Sequence, residues 1–264
     1  MGLNTWTEAV KTVTEFNMSS LTKLAQTLIA NGPHKLEKTS RRVRGLYDSV
    51  YVFDTTGAHF VWEHPYYPHF YIPGVAVKHG ILTKDEPVDK EESAFLATLK
   101  GHNKSTDRII VFEKGALAGL VRFEFAALDG WFEEDMPIYV HPKDPYKRID
   151  ILPSSRTVTA KVDGVTIAES SNNMFLYETS LRTRQYLPKT AVRWEYITES
   201  KTTSGCPYKG VANYYNVVVN GKEYKDLIWW YKTPTAESAP IVGHICFYNE
   251  KCDIYIDGVK EEKE

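Results

Sequence analysis

Two stretches of the chain, FVWEHPYYPHFYIP at residues 60–73 and FLYETSLRTRQYLP at residues 175–188, align without a gap at an offset of 115 positions. Residues 119–131 and 243–255 share glycine, hydrophobic and aromatic positions at an offset of 124. Because both blocks occur in the same order in both halves, we interpret the chain as an internal duplication. Each copy is close to the common size of a domain.

The duplication sets the predicted domain organisation. Residues 1–45 precede the first copy and are predicted to form a helical N-terminal extension. The first β repeat is placed at residues 46–145 and the second at residues 156–264, with a joint at residues 146–155. Since residues 141–156 are rich in proline and charge but poor in glycine and serine, we expect the joint to be rigid.

The fold class is predicted to be mainly β. Asp-Gly at 163–164 and Asn-Gly at 220–221 lie between runs of β-branched and aromatic residues, and a third hairpin turn is expected at 249–250. Such turns are typical of antiparallel strands. We therefore expect two homologous antiparallel β domains, each curled into a small barrel or tent. Helices are expected only at residues 21–29 and, as one further short helix, at residues 94–99.

The composition is that of a globular protein. The chain has 264 residues, of which 42% are hydrophobic and 25% are charged, and its formal net charge is −2. A nearly neutral chain has no bulk electrostatic attraction to nucleic acid or anionic membranes. No run of about 18 apolar residues is present, as a transmembrane helix would require. From the charge and the hydropathy we expect no nucleic-acid or membrane partner. Because an odd cysteine count of 3 fits a reducing compartment, we also expect a cytoplasmic protein.

The common catalytic motifs are absent from the sequence. It contains no GxGxxG, P-loop, GxSxG, HExxH or paired CxxC motif. This disfavours dinucleotide-dependent enzymes, kinases, serine hydrolases and zinc proteases. An acid–base site remains open, because it needs only two or three converging side chains.

The first copy carries a dense cluster, WEHPYYPH, at residues 62–69. Glu63 and His64 are candidates for acid and base, because histidine titrates near neutral pH. Trp62 and Glu63 are candidates for substrate binding. The alternative interpretation is an exposed polar turn.

The second copy keeps the carboxylate, as Glu178, and adds Arg182 and Arg184. Two arginines spaced by two residues would share one side of a strand, where they would suit a carboxylate or a phosphate. The alternative is a surface network of Arg–Glu pairs.

A tight turn is predicted at residues 206–210, CPYKG, which would present Tyr208 and Lys209. A partly buried lysine can anchor an anion or polarise a carbonyl. Cys206 would be a nucleophile only if this lysine stabilised its thiolate, and a structural turn with an inert thiol is the alternative. Cys246 and Cys252 flank the third expected hairpin turn, where they would be either a disulfide or, more in keeping with the compartment, two thiols.

Two further positions are ambiguous. Residues 141–148, which include Arg148, are interpreted as a polar ligand-binding wall or as a salt-bridged latch. His244 replaces an apolar residue of the first copy, Leu120, and is a candidate base or a core histidine.

The motifs HPKDPYKRIDILPSSR, VDGVTIAES, CPYKGVANYYNV and IVGHICFYNEKCDIYIDG together resemble the tandem form of the family called domain of unknown function 427, which occurs in bacteria and fungi. The resemblance covers about residues 46–258 and implies mainly-β domains. The family usually has Tyr-Trp after the CPYKG turn, and this chain has Tyr214-Tyr215.

The family is sometimes labelled nucleotidyltransferase-like. Nucleotidyl transfer needs a magnesium-binding carboxylate pair beside a Gly-Ser element that grips phosphate. The acidic cluster at residues 133–135 has no Gly-Ser loop before it. We therefore favour a non-redox enzyme of the isomerase, cyclase or lyase type.

The predicted function is a cofactor-independent enzyme that moves protons on a small organic metabolite, with no metal. Glu178 or His244 would be the base, and Tyr208 and Lys209 the acid or oxyanion stabiliser. The anchors would be Arg182, Arg184 and Arg148, and the apolar wall would be Trp62, Trp229 and Tyr231. The alternatives are a non-catalytic protein that binds a small metabolite or nucleotide, and a scaffold that recruits a partner through the helix at residues 21–29. The expected partner is a small-molecule ligand. A homodimer is left open as an alternative to a monomer.

Overall fold

The structure is a computed structural model that describes residues 18–263. The chain divides into two compact units, Met1–Asp144 and Pro145–Glu264, here called the first and second unit. Among the described residues, only the first unit contains an α-helix, and both units consist mainly of antiparallel strands. Within residues 18–263, no helix has the length and apolar character needed to span a membrane.

Between residues 18 and 144, the first unit contains one α-helix and eleven strands. In chain order these are α1 (Met18–Asn31), β1 (Lys35–Lys38), β2 (Val43–Tyr47), β3 (Val50–Thr55), β4 (His59–Trp62), β5 (His69–Pro73), β6 (Leu82–Pro87), β7 (Ala94–Lys100), β8 (Ser105–Phe112), β9 (Leu120–Phe123), β10 (Gly130–Glu133) and β11 (Met136–Ile138).

The second unit contains eleven strands among its described residues. They are β12 (Ile149–Ser154), β13 (Val158–Val162), β14 (Val165–Ser170), β15 (Asn173–Glu178), β16 (Arg184–Pro188), β17 (Ile197–Cys206), β18 (Gly210–Val219), β19 (Lys222–Tyr231), β20 (His244–Phe247), β21 (Asp253–Ile256) and β22 (Val259–Lys260).

The two units have the same topology. Each has a seven-stranded sheet, ordered β1-β4-β5-β9-β8-β7-β6 in the first unit and β12-β15-β16-β20-β19-β18-β17 in the second. Each also has a four-stranded sheet, ordered β11-β10-β2-β3 and, in the opposite direction, β14-β13-β21-β22. Every strand of one unit therefore has a counterpart at the same sheet position in the other.

The strand register agrees with the duplication. Phe60 pairs with Phe70 in the first unit, and Phe175 pairs with Gln185, each 115 positions further on, in the second. Strand β10 departs from the sequence alignment by one residue. Its Glu133 pairs with Val43, and Ile256 pairs with Val158, so Glu133 corresponds to Ile256.

The main core of each unit lies between its two sheets. In the first unit this core contains Val43, Phe53, Phe60 and Ile72, and in the second it is built from the corresponding strands. Side chains alternate along a strand, so the seven-stranded sheet has a second, outer face. Helix α1 covers the outer face of the first unit, where Leu21 is buried against that sheet.

Two predicted hairpins are confirmed. Asp163 and Gly164 join β13 to β14, and Asn220 and Gly221 join β18 to β19, with positive φ at all four residues, as a type I′ turn requires. The third hairpin prediction is wrong, because β20 belongs to the seven-stranded sheet and β21 to the four-stranded sheet.

Other expectations also differ from the structure. Residues 94–99 form strand β7 instead of a helix, because β6 and β8 pair with it on both sides. The sheets are open and do not close into barrels. Strands β1 and β2 use residues that we assigned to the N-terminal extension, and β12 uses residues of the predicted joint. Residues 1–17 of that extension lie outside the described residues.

The predicted first helix ends at Asn31, as the Asn-Gly-Pro sequence indicates. Its apolar face, Leu21, Ala25 and Leu28, packs against the outer face of the first unit's sheet. The face that the scaffold hypothesis assigns to a partner is therefore already buried.

Candidate functional site

The CPYKG segment forms the predicted tight turn, between β17 and β18. Cys206 and Gly210 pair across it, and Gly210 has a φ of +95°, which glycine adopts without strain. The hydroxyls of Thr235 and Ser238 donate to the Tyr208 carbonyl, and the Thr235 amide donates to the Lys209 carbonyl. These bonds fix the backbone of the turn and so aim the Lys209 side chain.

Lys209 forms an ion pair with Glu178. The Lys209 Nζ lies 2.6 Å from the Glu178 Oε2, and the two side chains are only 12% and 6% exposed. Strands β15 and β18 are four positions apart in the sheet, which is about 19 Å in a flat sheet. A lysine side chain does not span that distance, so the sheet curls until the turn approaches β15.

The surroundings of Lys209 keep its ammonium charged. Burial acts to lower its pKa, but the attraction of Cys206 and Glu178 outweighs burial, and the pKa is raised. Lys209 is therefore suited to hold a negative charge and poorly suited to release a proton at neutral pH.

Hydroxyl and indole groups surround the pair on the outer face. Trp229 Nε1 donates to the hydroxyl of Tyr186 at 3.0 Å, and both side chains are buried. Burial is the largest cause of the raised pKa of Tyr231, followed by the nearby Tyr186 and Cys206, and Glu178 contributes too. The phenol of Tyr231 thus lies in the same cluster as the ion pair.

The outer face differs in chemistry between the two units. Ile110 pairs with Arg122 in the first unit, and Trp229 pairs with Cys246 at the same sheet position in the second. Two residues further along each strand, the first unit has Phe112 where the second has Tyr231. The second unit therefore has polar aromatic groups at positions where the first has hydrocarbon packed against helix α1.

The predicted catalytic residues are only partly brought together. Glu178 and Lys209 form the ion pair, and Tyr208 is buried beside Lys209 in the turn. His244 lies at the start of β20, where its Nδ1 is 2.9 Å from the Val242 carbonyl oxygen. In the described part of the chain, no hydrogen bond or ion pair joins His244 to Glu178.

The three predicted arginine anchors have separate partners. Arg184 binds Glu250 at 2.8 Å and lies over the Trp229 ring, which places it at the edge of the cluster. Arg182 precedes β16 and binds Glu261, so the two arginines do not form the predicted fork. Arg148 is 79% exposed and binds Asp150. Of the wall residues, Trp229 and Tyr231 lie in the cluster.

Trp62 and Glu63 belong to a different cluster, in the first unit. Glu63 lies at the position of Glu178 and accepts hydrogen bonds from Arg122 at 2.6 Å and from the Tyr71 hydroxyl at 3.0 Å. Its carboxylate also lies 3.6 Å from His69 Nε2. The indole of Trp62 donates to Asp144 at 3.1 Å and is part of the core.

Electrostatics hold Glu63 ionised. Burial acts to raise its pKa, but the attraction of Arg122 and His69, with the hydrogen bonds from Arg122 and Tyr71, lowers the pKa to about 2. Burial lowers the pKa of His69 to about 4, against the attraction of Glu63. The WEHPYYPH cluster is therefore not simply an exposed polar turn, because Glu63 and His69 are built into the interior. His64 lies beside the ring of His69, with 5.9 Å between centroids.

The three cysteines are free thiols. Cys246 points to the outer face and Cys252 to the core between the sheets, so the turn does not make them face each other as a hairpin would. Burial raises the pKa of Cys246 and raises the pKa of Cys252 to about 12.

The acidic cluster at residues 133–135 is engaged in ion pairs. Glu133 binds Arg41 at 2.5 Å, and Asp135 binds Arg44 at 2.7 Å. The carboxylate of Glu134 accepts from the backbone amide of Arg42, so all three carboxylates already have partners. Within residues 18–263, no group of three histidine, cysteine, aspartate or glutamate side chains is arranged to hold a metal ion.

Sequence reasoning missed Arg122, Tyr71 and Tyr186 as members of the two clusters. Tyr71 and Tyr186 stand at equivalent positions in the quoted repeats, and strand alternation from Tyr71 places it on the face opposite Ile72. The position of both tyrosines on the outer face was therefore predictable from the alignment of the two repeats. The partner of Tyr71 across the sheet, Arg122, follows only from the pairing of β5 with β9.

A family comparison decides the assignment. The family described as Domain of unknown function (DUF427) matches residues 35–133 and again residues 150–258. The chain belongs to this family. Each unit is one DUF427 repeat, which confirms the predicted tandem arrangement and mainly-β fold. No curated protein matches the chain.

Proposed function

We propose that the second DUF427 repeat transfers protons on a small organic molecule without a cofactor. The observation that supports this proposal is the buried Glu178–Lys209 pair at 2.6 Å, beside the phenol of Tyr231. The chemistry would be that of an isomerase, cyclase or lyase. The expected substrate is a carbonyl compound with an acidic C–H on the carbon next to the carbonyl.

The close approach of the Glu178 carboxylate and the Lys209 ammonium suits a carbonyl substrate of this kind. Glu178 would take the proton from the carbon, and Lys209, which stays charged, would stabilise the oxyanion that forms on the neighbouring oxygen. An ammonium has three N–H donors, and Glu178 accepts from one of them in this structure. Another would donate to the substrate oxygen.

The enolate then reacts in one of three balanced ways. The proton held by Glu178 returns to a different carbon in an isomerisation, and in an elimination it goes to the leaving group that departs with the bonding electrons. In a cyclisation the carbanion attacks a second carbonyl carbon of the same molecule, and the alkoxide that forms takes the proton from Glu178. Tyr231 would supply a further O–H donor to the oxyanion, a role that we first gave to Tyr208. Trp229 would pack against the apolar part of the substrate.

Hydrogen–deuterium exchange on carbon tests the proposal directly. The pure protein is incubated in D2O with a panel of small ketones and 2-oxo acids, and loss of the C–H signals is followed by proton NMR. We expect faster exchange of at least one compound with the wild type, and a loss of about 100-fold or more in Glu178→Gln and Lys209→Met.

A matched control is the exposed pair Lys84–Glu113, where Glu113→Gln leaves exchange unchanged. Exchange that persists in both Glu178→Gln and Lys209→Met would show that the site is wrong.

A second candidate function is binding without catalysis. The raised pKa of Lys209 favours it, because a permanently charged ammonium suits the retention of an anionic metabolite or nucleotide. A compound that raises the melting temperature of the wild type, but not of Lys209→Met, and shows no exchange or turnover would identify this function.

A further inference from the structure

The second unit contains a cavity of about 300 Å³ that lies apart from the Glu178–Lys209 pair. Phe175 and Tyr177 line it from β15, where they alternate with Leu176 and Glu178 and therefore point to the opposite face. Its volume is at the lower end for small-molecule sites, which begin at about 300 Å³. The cavity thus offers a site that the proposed chemistry does not use.

Two guanidinium groups line this cavity. Arg156 lies over the ring of Phe175, with 5.5 Å between the guanidinium carbon and the ring centroid. The Arg182 side chain is only 14% exposed, and its Nη1 is buried without a hydrogen-bond partner among the described residues. A buried donor without a partner is costly, so it favours a ligand that supplies an acceptor.

The C-terminal segment already places acceptors beside Arg182. Arg182 Nη2 donates to the Glu262 carbonyl at 2.9 Å and lies 3.5 Å from the Glu261 carboxylate. Glu261 also lines the cavity. The Glu261 carboxylate therefore occupies a position beside Arg182 for which the carboxylate of a ligand would compete.

The first repeat has different side chains at the corresponding place. Arg41 corresponds to Arg156 and binds the carboxylate of Glu133 at 2.5 Å. In the second repeat the counterpart of Glu133 is Ile256, and Arg156 instead binds the carboxylate of Asp257 at 3.0 Å in a half-exposed ion pair. Phe70, which stacks on Phe60 with 5.0 Å between centroids, is replaced by Gln185. The second repeat thus lacks the aromatic ring of Phe70, and its arginine pairs with a half-exposed carboxylate where Arg41 pairs with a largely buried one.

We propose that this cavity binds a small organic carboxylate, with its carboxylate between Arg156 and Arg182 and its apolar part against Phe175 and Ile256. Guanidinium groups match the geometry of a carboxylate, and the aromatic and aliphatic lining matches an aryl or alkyl body. Glu261, the ion-pair partner of Arg182, and Asp257, the ion-pair partner of Arg156, act as internal competitors that the ligand displaces.

Benzoate is the probe, and benzamide is its neutral isostere. Binding to the full chain is followed by isothermal titration or by ligand-observed NMR. We expect benzoate to bind at least tenfold more tightly than benzamide. Arg182→Gln should weaken benzoate binding by about tenfold or more, since it removes a charged donor.

Glu261→Gln should strengthen benzoate binding by up to roughly fivefold, because it removes a competing charge from a partly exposed pair. A purely structural role of Glu261 would not produce a gain. Arg41→Gln, at the position in the first repeat that corresponds to Arg156, is the control and should leave benzoate binding unchanged.

Three outcomes would overturn the proposal. They are equal binding of benzoate and benzamide, tighter binding of inorganic phosphate than of benzoate, and the absence of benzoate binding in both the wild type and Glu261→Gln. The last comparison does not depend on the folding of Arg182→Gln. None of these measurements involves Glu178 or Lys209, so the outcome is independent of the proposed proton transfer.

Discussion

Glu63 and Glu178 occupy the same position in the two repeats, 115 residues apart, and each is neutralised by a cation from a different element of the fold. The cation is Arg122, on strand β9, for Glu63 and Lys209, in the β17–β18 turn, for Glu178. The strand position of Arg122 is taken by Cys246 in the second repeat. A buried carboxylate has thus been retained while its counter-charge has moved.

Breaking the pair in the first repeat is predicted to be costly. Arg122→Met leaves the carboxylate of Glu63 buried without its cation, and both side chains are less than a tenth exposed. We expect a loss of about 3–5 kcal/mol in the free energy of unfolding, measured by urea denaturation. The double variant Glu63→Gln/Arg122→Met should recover most of it, and Glu113→Gln is the surface control. A loss below about 1 kcal/mol in Arg122→Met would contradict this account.

The same cluster predicts acid sensitivity of the first repeat. The pKa of His69 is lowered from 6.5 to about 4, so the unfolded chain binds more protons than the folded one between these values. Stability is therefore lost as the pH falls from 6.5 to 4. The pKa of Glu63 is lowered from 4.5 to about 2, which extends the loss to lower pH.

Urea denaturation at a series of pH values measures this effect, with His69→Gln as the comparison. The wild type should lose on the order of 2–3 kcal/mol between pH 6.5 and 4 from this group. In His69→Gln the free energy of unfolding should vary less with pH in that interval. The loss of stability below pH 4.5, which comes from Glu63, should remain. Identical profiles above pH 4.5 would rule out the contribution of His69.

Thiol labelling should distinguish the three cysteines. Cys246 and Cys252 are buried, and burial raises the pKa of both thiols, so neither supplies much thiolate at neutral pH. Cys206 is only partly buried. We expect one fast-reacting thiol per folded chain with an aromatic disulfide reagent, and none in Cys206→Ser. Three fast thiols in the native protein would contradict the burial of Cys246 and Cys252.

Helix α1 is predicted to stabilise the first repeat. Leu28 is 4% exposed and packs on the outer face of the seven-stranded sheet. Leu28→Ala should cost about 2–4 kcal/mol and should reduce amide protection in the helix, as measured by hydrogen exchange. Lys23→Ala, at an exposed position of the same helix, should be neutral. Equal protection in both variants would mean that the helix does not depend on this packing.

The fold class was predictable from the sequence, because the duplication and the hairpin turns are recognisable without knowledge of which strands pair. The turns at Asp163-Gly164 and Asn220-Gly221 were identifiable from φ preference alone. Strand β7 was not, since its short and nearly continuous apolar run also fits a helix and only its neighbours β6 and β8 decide. The assignment of β20 and β21 to different sheets likewise depends on long-range pairing.

The site was predictable only in part. Glu178 and the CPYKG turn stood out by residue type, but their ion pair depends on the curl of the sheet. His244 was chosen by chemical type, and nothing in the chain indicates that its ring contacts the Val242 carbonyl. The arginine fork failed because Arg182 lies before strand β16, where alternation no longer sets the direction of a side chain.

The different elements that carry the counter-charge have a mechanical consequence. A guanidinium on a central strand is fixed by the backbone on both sides, and it cannot retreat without disturbing the ladder. An ammonium on a turn can swing aside while every strand stays in place. The two repeats therefore differ in what separates the buried carboxylate from its cation: the first repeat would have to distort its sheet, and the second needs only a rotation of the Lys209 side chain.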